Sequence, residues 1–123
     1  MRMAKHILIV EDEPKIRDLL CRCLKEEGFY AIEAEDGQKA LNLIKMSNNV
    51  DLVILDIRLP KFSGLDIYDV IKKDFPGIKI VVSSVYTIEE QEFLILEADD
   101  YYYKSESVSM LVEKINRLLF APR

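Results

Sequence analysis

The stretch Asp51-Leu-Val-Ile-Leu-Asp-Ile-Arg-Leu-Pro60 decides the fold of this 123-residue chain. Four consecutive apolar residues, 52–55, are typical of a strand that is buried on both faces, as the strands of parallel sheets are. The strand ends in a carboxylate, Asp56, and Pro60 prevents its continuation. In doubly wound α/β folds, ligands bind just beyond the carboxyl ends of the strands. Asp56 is therefore a candidate nucleophile or metal ligand, the alternative being a solvated acid at a strand end.

Strand and helix patterns alternate five times along the chain, and this alternation predicts a parallel sheet with helices on both faces. Strands are predicted at 6–10, 30–34, 52–55, 79–84 and 100–103. Helices are predicted to begin at Pro14, to cover 38–46 and 65–73, to begin at the capping box Thr87-Ile-Glu-Glu90, and to begin after Ser107. Because βα loops are short and crossovers are right-handed, we expect one (βα)5 doubly wound domain over residues 1–123.

Composition excludes several classes of protein. The formal net charge of −5 and the absence of a Lys/Arg run argue against direct binding of nucleic acid. No apolar stretch approaches the length of a membrane span, and the N-terminus lacks the apolar core of a signal peptide. We therefore expect a cytoplasmic domain without membrane contact.

The two cysteines, Cys21 and Cys23, are two residues apart on a predicted helix, a spacing that points them in separate directions. A disulfide or a shared metal is thus not expected. Cys23 is interpreted as a small core residue on the apolar stripe of that helix. The stripe consists of Ile16, Leu19, Leu20, Cys23 and Leu24.

Polar residues follow four of the five predicted strands at their carboxyl ends. They are Glu11 and Asp12, Asp56, Ser84 and Lys104. Clustered carboxylates repel one another unless a cation lies among them, and hard oxygen ligands suit Mg²⁺. Lys104 supplies a positive charge and Ser84 a hydroxyl donor for the oxygens of a phosphoryl group. The sequence therefore predicts a magnesium site with the parts for phosphoryl transfer to a carboxylate.

The chain resembles the receiver domains of the two-component response regulator family over essentially its whole length. The resemblance rests on Ile-Leu-Ile-Val-Glu-Asp-Glu-Pro at 7–14, on Asp56-Ile-Arg-Leu-Pro60 with Ser63-Gly64, on Ser84-Val-Tyr86, and on Ala98-Asp-Asp-Tyr-Tyr-Tyr-Lys104. It implies a flavodoxin-like sheet with the strand order 2-1-3-4-5. It also implies a phosphorylation-controlled signalling switch that catalyses only its own phosphorylation and slow dephosphorylation.

The resemblance also assigns roles to individual residues. Asp56 would accept a phosphoryl group from a histidine kinase or a phosphotransfer protein. Asp12 and Asp56 would bind Mg²⁺ directly, Glu11 through water and Arg58 through its backbone carbonyl. Ser84 and Lys104 would bind the phosphoryl oxygens, and Tyr101 would change rotamer together with Ser84. Dimers or output partners would bind the face formed by helix 4, strand 5 and helix 5, where Phe93-Leu-Ile-Leu96 is apolar.

Some residues depart from the family pattern. Ser105 follows Lys104, where the family usually has a proline after a cis peptide bond, so the bond here is either trans or a strained cis bond. Val85 replaces a smaller residue beside the phosphoryl site. Lys61 and Glu97 stand where glycine is usual.

Three other classes fit the sequence less well. A phosphohydrolase of the haloacid dehalogenase type needs a general acid where this chain has Arg58. A flavodoxin-like electron carrier needs a phosphate cradle after the first strand, where this chain has the acidic residues 11–13. A P-loop protein needs Gly-x-x-x-x-Gly-Lys, which the chain lacks. We expect the chain to be the receiver part of a longer protein rather than a stand-alone regulator.

Overall fold

Five strands and five helices alternate in the computed structural model, which describes residues 4–47, 49–58, 64–94 and 97–120. The strands are β1 (His6–Val10), β2 (Tyr30–Ala34), β3 (Leu52–Asp56), β4 (Lys79–Ser84) and β5 (Asp100–Tyr103). The helices are α1 (Pro14–Glu26), α2 (Gly37–Ser47), α3 (Gly64–Asp74), α4 (Ile88–Leu94) and α5 (Val108–Phe120). Within these ranges, no helix has both the length and the apolar character that crossing a bilayer requires.

The strands form one parallel sheet in the order β2-β1-β3-β4-β5, which confirms the predicted doubly wound fold and its strand order. The register aligns the carboxyl ends of the central strands. Val10 is paired with Leu55, and Asp56 is paired with Ser83. Residues that directly follow β1, β3, β4 and β5 therefore lie along one edge of the sheet.

Strand β3 lies in the middle of the sheet and is buried at all five positions. Val53 and Leu55 face one apolar core, which includes residues of α2 and α3. Leu52 and Ile54 face the other core, which includes residues of α1 and α5. Because both faces of β3 are covered, its sequence is a continuous apolar run rather than an alternating one.

The predicted core stripe of α1 was partly wrong. Leu20, Cys21 and Leu24 are buried, whereas Leu19 is 44% exposed and Cys23 is only half-buried. Cys21, not Cys23, is thus the cysteine in the core. The apolar residues of α1 cover a wide arc, and only the packing against the sheet and α5 decides which part of that arc is buried.

Tyr68 of α3 is buried, and its hydroxyl has no hydrogen-bond partner in the described part of the chain. Burial, together with the charge of Glu97, raises the pKa of Tyr68 to about 12. An unsatisfied buried hydroxyl costs about 1–3 kcal/mol. We therefore expect Tyr68→Phe to increase the free energy of unfolding by about 1 kcal/mol at pH 7.

The sign of the pH dependence follows from this raised pKa. An unfolded tyrosine ionises near pH 10, whereas folded Tyr68 stays protonated to about pH 12, so the wild type loses stability as the pH rises between these values. Tyr68→Phe should remove the part of the alkaline loss of stability that comes from Tyr68. Urea unfolding at pH 7 and from pH 9 upward measures this change. Tyr30→Phe is the control, because Tyr30 is 57% exposed. A Tyr68→Phe protein less stable than the wild type at pH 7 would contradict the prediction.

Candidate functional site

The carboxyl edge of the sheet brings two buried carboxylates to one ammonium group. The Nζ atom of Lys104 lies 2.6 Å from Oε1 of Glu11 and 3.1 Å from Oδ2 of Asp56. Glu11 and Asp56 are 3% and 4% exposed, so these charges are largely removed from water. Residues 93 positions apart in the chain, at the ends of β1 and β5, are in direct contact here because the parallel sheet aligns the ends of its strands.

The carboxylate of Asp56 is oriented by two donors. Its Oδ1 accepts a hydrogen bond of 3.0 Å from the backbone N–H of Arg58, and its Oδ2 accepts one from Lys104. Both contacts fix the direction of the carboxylate at the end of β3, beside Ser83 of β4.

Burial governs the electrostatics of the pair that Glu11 makes with Lys104. Burial raises the pKa of the Glu11 carboxyl, and the hydrogen bond from Lys104 offsets only part of this effect. Burial alone would lower the pKa of Lys104, but the hydrogen bond to Glu11 and the charge of Asp56 outweigh it, so the pKa is raised. Lys104 is therefore a permanent cation at neutral pH.

Ser84 ends β4 and is fully buried. Its Oγ accepts a hydrogen bond of 3.1 Å from the N–H of Tyr86, and its carbonyl accepts one of 2.8 Å from the N–H of Lys104. The predicted hydroxyl donor and the predicted cation are thus linked through the backbone. The Lys104–Ser105 peptide bond is trans, which answers the question that the missing proline raised.

Tyr101 lies on β5 and is buried in the core that includes α2 and α3. Its carbonyl accepts a hydrogen bond of 2.7 Å from Lys114 of α5. Val85 is 57% exposed, so its side chain lies at the surface of the turn between β4 and α4. The motif residues Pro60, Lys61 and Ser63 lie outside the described residues.

The side chain of Arg58 extends toward the turn after β4. Its guanidinium lies 5.9 Å from the centre of the Tyr86 ring, a cation–π distance. Arg58 thus contacts Asp56 through its backbone N–H and Tyr86 through its side chain.

Two polar side chains near the site were not singled out by the sequence. Arg17 of α1 donates to the backbone carbonyls of Glu11 and Asp12. Gln91 of α4 is fully buried and donates to the carbonyls of Tyr86 and Tyr102. The sequence does contain a signal for these two residues, because each lies on the apolar face of its helix. Arg17 is three residues before Leu20 and Gln91 is three residues after Ile88, and residues three apart on a helix share a face.

The carboxylates fit a divalent cation. One oxygen each of Glu11, Asp12 and Asp56 lie within 4.8 Å of one another, and Asp12 is exposed while the other two are buried. This set is made of hard oxygen donors, has an open side toward solvent, and repels itself without a cation. Such a set suits Mg²⁺, which keeps several waters and binds through one or two carboxylates, among the hard divalent cations.

Comparisons with known proteins agree with this geometry. The family model for the response regulator receiver domain matches residues 7–116. A probable transcriptional regulatory protein of Picosynechococcus is 39% identical in an alignment of 121 positions that covers 92% of this chain and 48% of that protein. The transcriptional regulator SphR of Synechococcus elongatus, named for alkaline phosphatase synthesis, is 36% identical over 94% of this chain and 49% of its own length. The chain thus spans about half the length of these curated relatives.

Solved structures give the same result. The response regulator TrrA of Thermotoga maritima, in complex with Mg²⁺-BeF, is 42% identical, with a TM-score of 0.84 over 94% of this chain and 99% of its own. TrrA in complex with the histidine kinase ThkA superposes with a TM-score of 0.85, again over 94% of this chain and over 98% of its own. The chain belongs to the response regulator receiver domains, the phosphorylation-controlled switches of two-component signalling.

Proposed function

We propose that Asp56 is the phosphoacceptor of this receiver domain and that a histidine kinase or a phosphotransfer protein is the donor. The observation that carries the proposal is the convergence of Glu11, Asp12, Asp56 and Lys104 at one sheet edge. The structures of TrrA with Mg²⁺-BeF and with the kinase ThkA support it by similarity.

The chemistry follows from the groups at this edge. A carboxylate oxygen of Asp56 forms a bond to phosphorus while the bond from phosphorus to the donor imidazole nitrogen breaks, and the departing imidazole takes up a proton. Lys104 offsets the charge on the phosphoryl oxygens, and Ser84 donates its hydroxyl hydrogen to one of them. The Arg58 N–H holds one oxygen of Asp56 in place, so that the other oxygen is free to attack once Lys104 turns to the phosphoryl group.

The metal would be held by the same edge. Asp12 and Asp56 would bind Mg²⁺ directly, Glu11 through water, and Arg58 through its backbone carbonyl. The bound ion would supply positive charge to the transferred phosphoryl group. Glu11 would contribute by holding Lys104, to which it is paired at 2.6 Å.

The output side of the proposal is the face made by α4, β5 and α5. Phe93 of α4 is 84% exposed, as an apolar contact residue for a partner or a second copy would be. Ile95 and Leu96 of the predicted apolar run lie outside the described residues. On this proposal, phosphorylation changes binding at this face, with Ser84 and Tyr101 as the residues that move.

Phosphorylation by a small donor tests the site. We expect acetyl phosphate to add one phosphoryl group to the wild type only when Mg²⁺ is present, as measured by intact mass. Asp56→Asn should add none, because an amide oxygen is a poor nucleophile. Asp69→Asn, which changes an exposed acid of α3, should be labelled like the wild type. Equal labelling of Asp56→Asn, or labelling that persists in excess chelator, would contradict the assignment.

The switch is tested on the same labelled sample. Amide hydrogen exchange, compared before and after labelling, should change in α4, β5 and α5 and stay constant in α2. If hydrogen exchange in α4, β5 and α5 is the same before and after labelling, the proposed output face is refuted, while Asp56 remains the acceptor.

A further inference from the structure

Arg17 is a charged side chain that packs next to the proposed metal site without being part of it. Its side chain is only 18% exposed. Its Nη1 donates to the carbonyl of Glu11 at 2.9 Å, with a longer contact of 3.5 Å to the carbonyl of Asp12. Its Nε lies 3.6 Å from Oε1 of Glu33 on β2.

These contacts fix the backbone of the segment between β1 and α1. This segment is irregular: the Glu11 N–H donates to the carbonyl of Ala34 on β2 and the Glu13 carbonyl accepts from the N–H of Arg17, while the carbonyls of Glu11 and Asp12 are the ones that the guanidinium contacts. When a guanidinium holds the carbonyls of Glu11 and Asp12, it also restricts the directions of their side chains, because each carbonyl and its Cβ are attached to the same Cα. The carboxylate of Glu11 then reaches Lys104, and that of Asp12 faces Asp56.

We propose that Arg17 is a positioning residue for the divalent cation of the receiver site, acting through the backbone of Glu11 and Asp12 and touching neither the cation nor the reacting atoms. The inference rests on the proposed function, in which these carboxylates bind Mg²⁺. Glu33 anchors the far side of the guanidinium on the neighbouring strand.

Charge and positioning predict opposite signs for the removal of Arg17. A positive charge close to a cation site can only oppose cation binding, so if charge alone mattered, Arg17→Ala would bind Mg²⁺ more tightly. Removal of a residue that orients metal ligands without touching the metal typically weakens metal binding by 10-fold or more. The direction of the change therefore separates the two effects.

Titration of the metal-free chain with Mg²⁺ alone, by calorimetry, is the test. We expect Arg17→Ala to weaken binding by about 10-fold. Arg17→Lys should also weaken it, because lysine keeps the charge but lacks the planar fork that spans two carbonyls and Glu33. Arg22→Ala is the matched control, since Arg22 carries the same charge on the same helix but is 68% exposed and pairs only with Asp18 among the described residues. This control should bind Mg²⁺ as the wild type does or slightly more tightly.

A second readout shows where the effect arises. The amides of residues 11–13 should exchange with solvent faster in Arg17→Ala and Arg17→Lys than in Arg22→Ala, while β3 and β4 keep wild-type protection. That protection also verifies that the variants are folded. If Arg17→Ala loses the protection of β3 and β4, the Mg²⁺ affinity of Arg17→Lys alone tests the positioning role.

The outcomes distinguish this inference from the function on which it rests. If the wild type binds no Mg²⁺, or binds it equally well as Asp56→Asn, the proposed metal site is refuted. If the wild type binds through that site but both Arg17 variants bind equally or more tightly, only the positioning role is overturned. Weaker binding in both Arg17 variants with faster exchange at 11–13 supports it.

Discussion

Gln91→Glu is expected to lower the free energy of unfolding by about 4 kcal/mol at pH 7. The Gln91 side chain is fully buried, and its Nε2 donates to the carbonyls of Tyr86 at 2.8 Å and of Tyr102 at 2.9 Å. A carboxylate has the same shape but no hydrogen to donate, so it would face two carbonyl oxygens as an anion. Protonation supplies one O–H donor for one of the two carbonyls. Holding a carboxyl of pKa about 4.3 protonated at pH 7 costs about 1.4 kcal/mol per pH unit.

The pH dependence of this variant identifies the cause. Its carboxyl has a folded pKa raised above the unfolded value, so its stability is greatest below about pH 4.3 and falls as the pH rises toward the folded pKa. The difference from the wild type should thus shrink to about 1 kcal/mol at pH 5. Urea unfolding at pH 5 and pH 7 measures both values.

Gln91→Met is the matched control for Gln91→Glu. It removes the two hydrogen bonds without adding a charge, and it also removes the Oε1 atom that is buried without a partner in the described structure. A loss of about 1–2 kcal/mol is expected, equal at pH 5 and pH 7. If Gln91→Glu is as stable as Gln91→Met at pH 7, the amide of Gln91 does not hold α4 as the distances indicate.

Gly64→Ala is expected to destabilise the fold by about 3 kcal/mol. A Cβ atom on Gly64 would overlap the carbonyl oxygen of Asp56 and would lie 2.5 Å from Cα of Ile57 and 2.9 Å from the carbonyl oxygen of Ile57. All three are backbone atoms, so no side-chain rotation relieves the contact. The first residue of α3 would have to move away from the end of β3, which would also break the hydrogen bond from the Gly64 N–H to Ile57.

Gly77→Ala is the control for this substitution. A Cβ atom on Gly77 meets nothing within 4 Å, and the backbone there is not in the left-handed region. Alanine should therefore be neutral at position 77, or stabilising by about 0.5 kcal/mol through a less flexible unfolded chain. Thermal and urea unfolding of both variants give the comparison. Equal stability of the two alanine variants would mean that α3 moves away from Asp56 at little cost.

Much of the fold could be predicted because its signals are local. The apolar run 52–55 indicated a central strand, and β3 is buried at every position. The capping box at the start of α4 is present, with Thr87 N–H bonded to Glu90 Oε1 at 3.0 Å and Glu90 N–H bonded to Thr87 Oγ1 at 3.3 Å. Patterns of this kind depend on spacings of two to four residues, which the sequence contains directly.

The candidate site could be predicted only as a set of strand-end residues. Parallel strands place their carboxyl ends at one edge, so Glu11, Asp56 and Lys104 were expected to be neighbours. Which of them would form pairs was not evident, because it depends on the register of β1, β3 and β5 and on the side-chain directions. The ion pairs of Lys104 with two carboxylates, at 2.6 Å and 3.1 Å, were found only in the structure.

The sequence by itself determined the alternation of strands and helices, the doubly wound sheet and the acidic edge, since each follows from apolar spacing and from the residues that end each strand. The tertiary structure alone decided that Cys21 rather than Cys23 is buried, that Gly64 lies against the backbone of Asp56, and that Arg17 and Gln91 donate to backbone carbonyls. These features depend on how far a helix is rotated and how closely it approaches the sheet. Rotation and approach are set by the sum of many weak contacts with residues distant in the chain, and no short pattern records that sum.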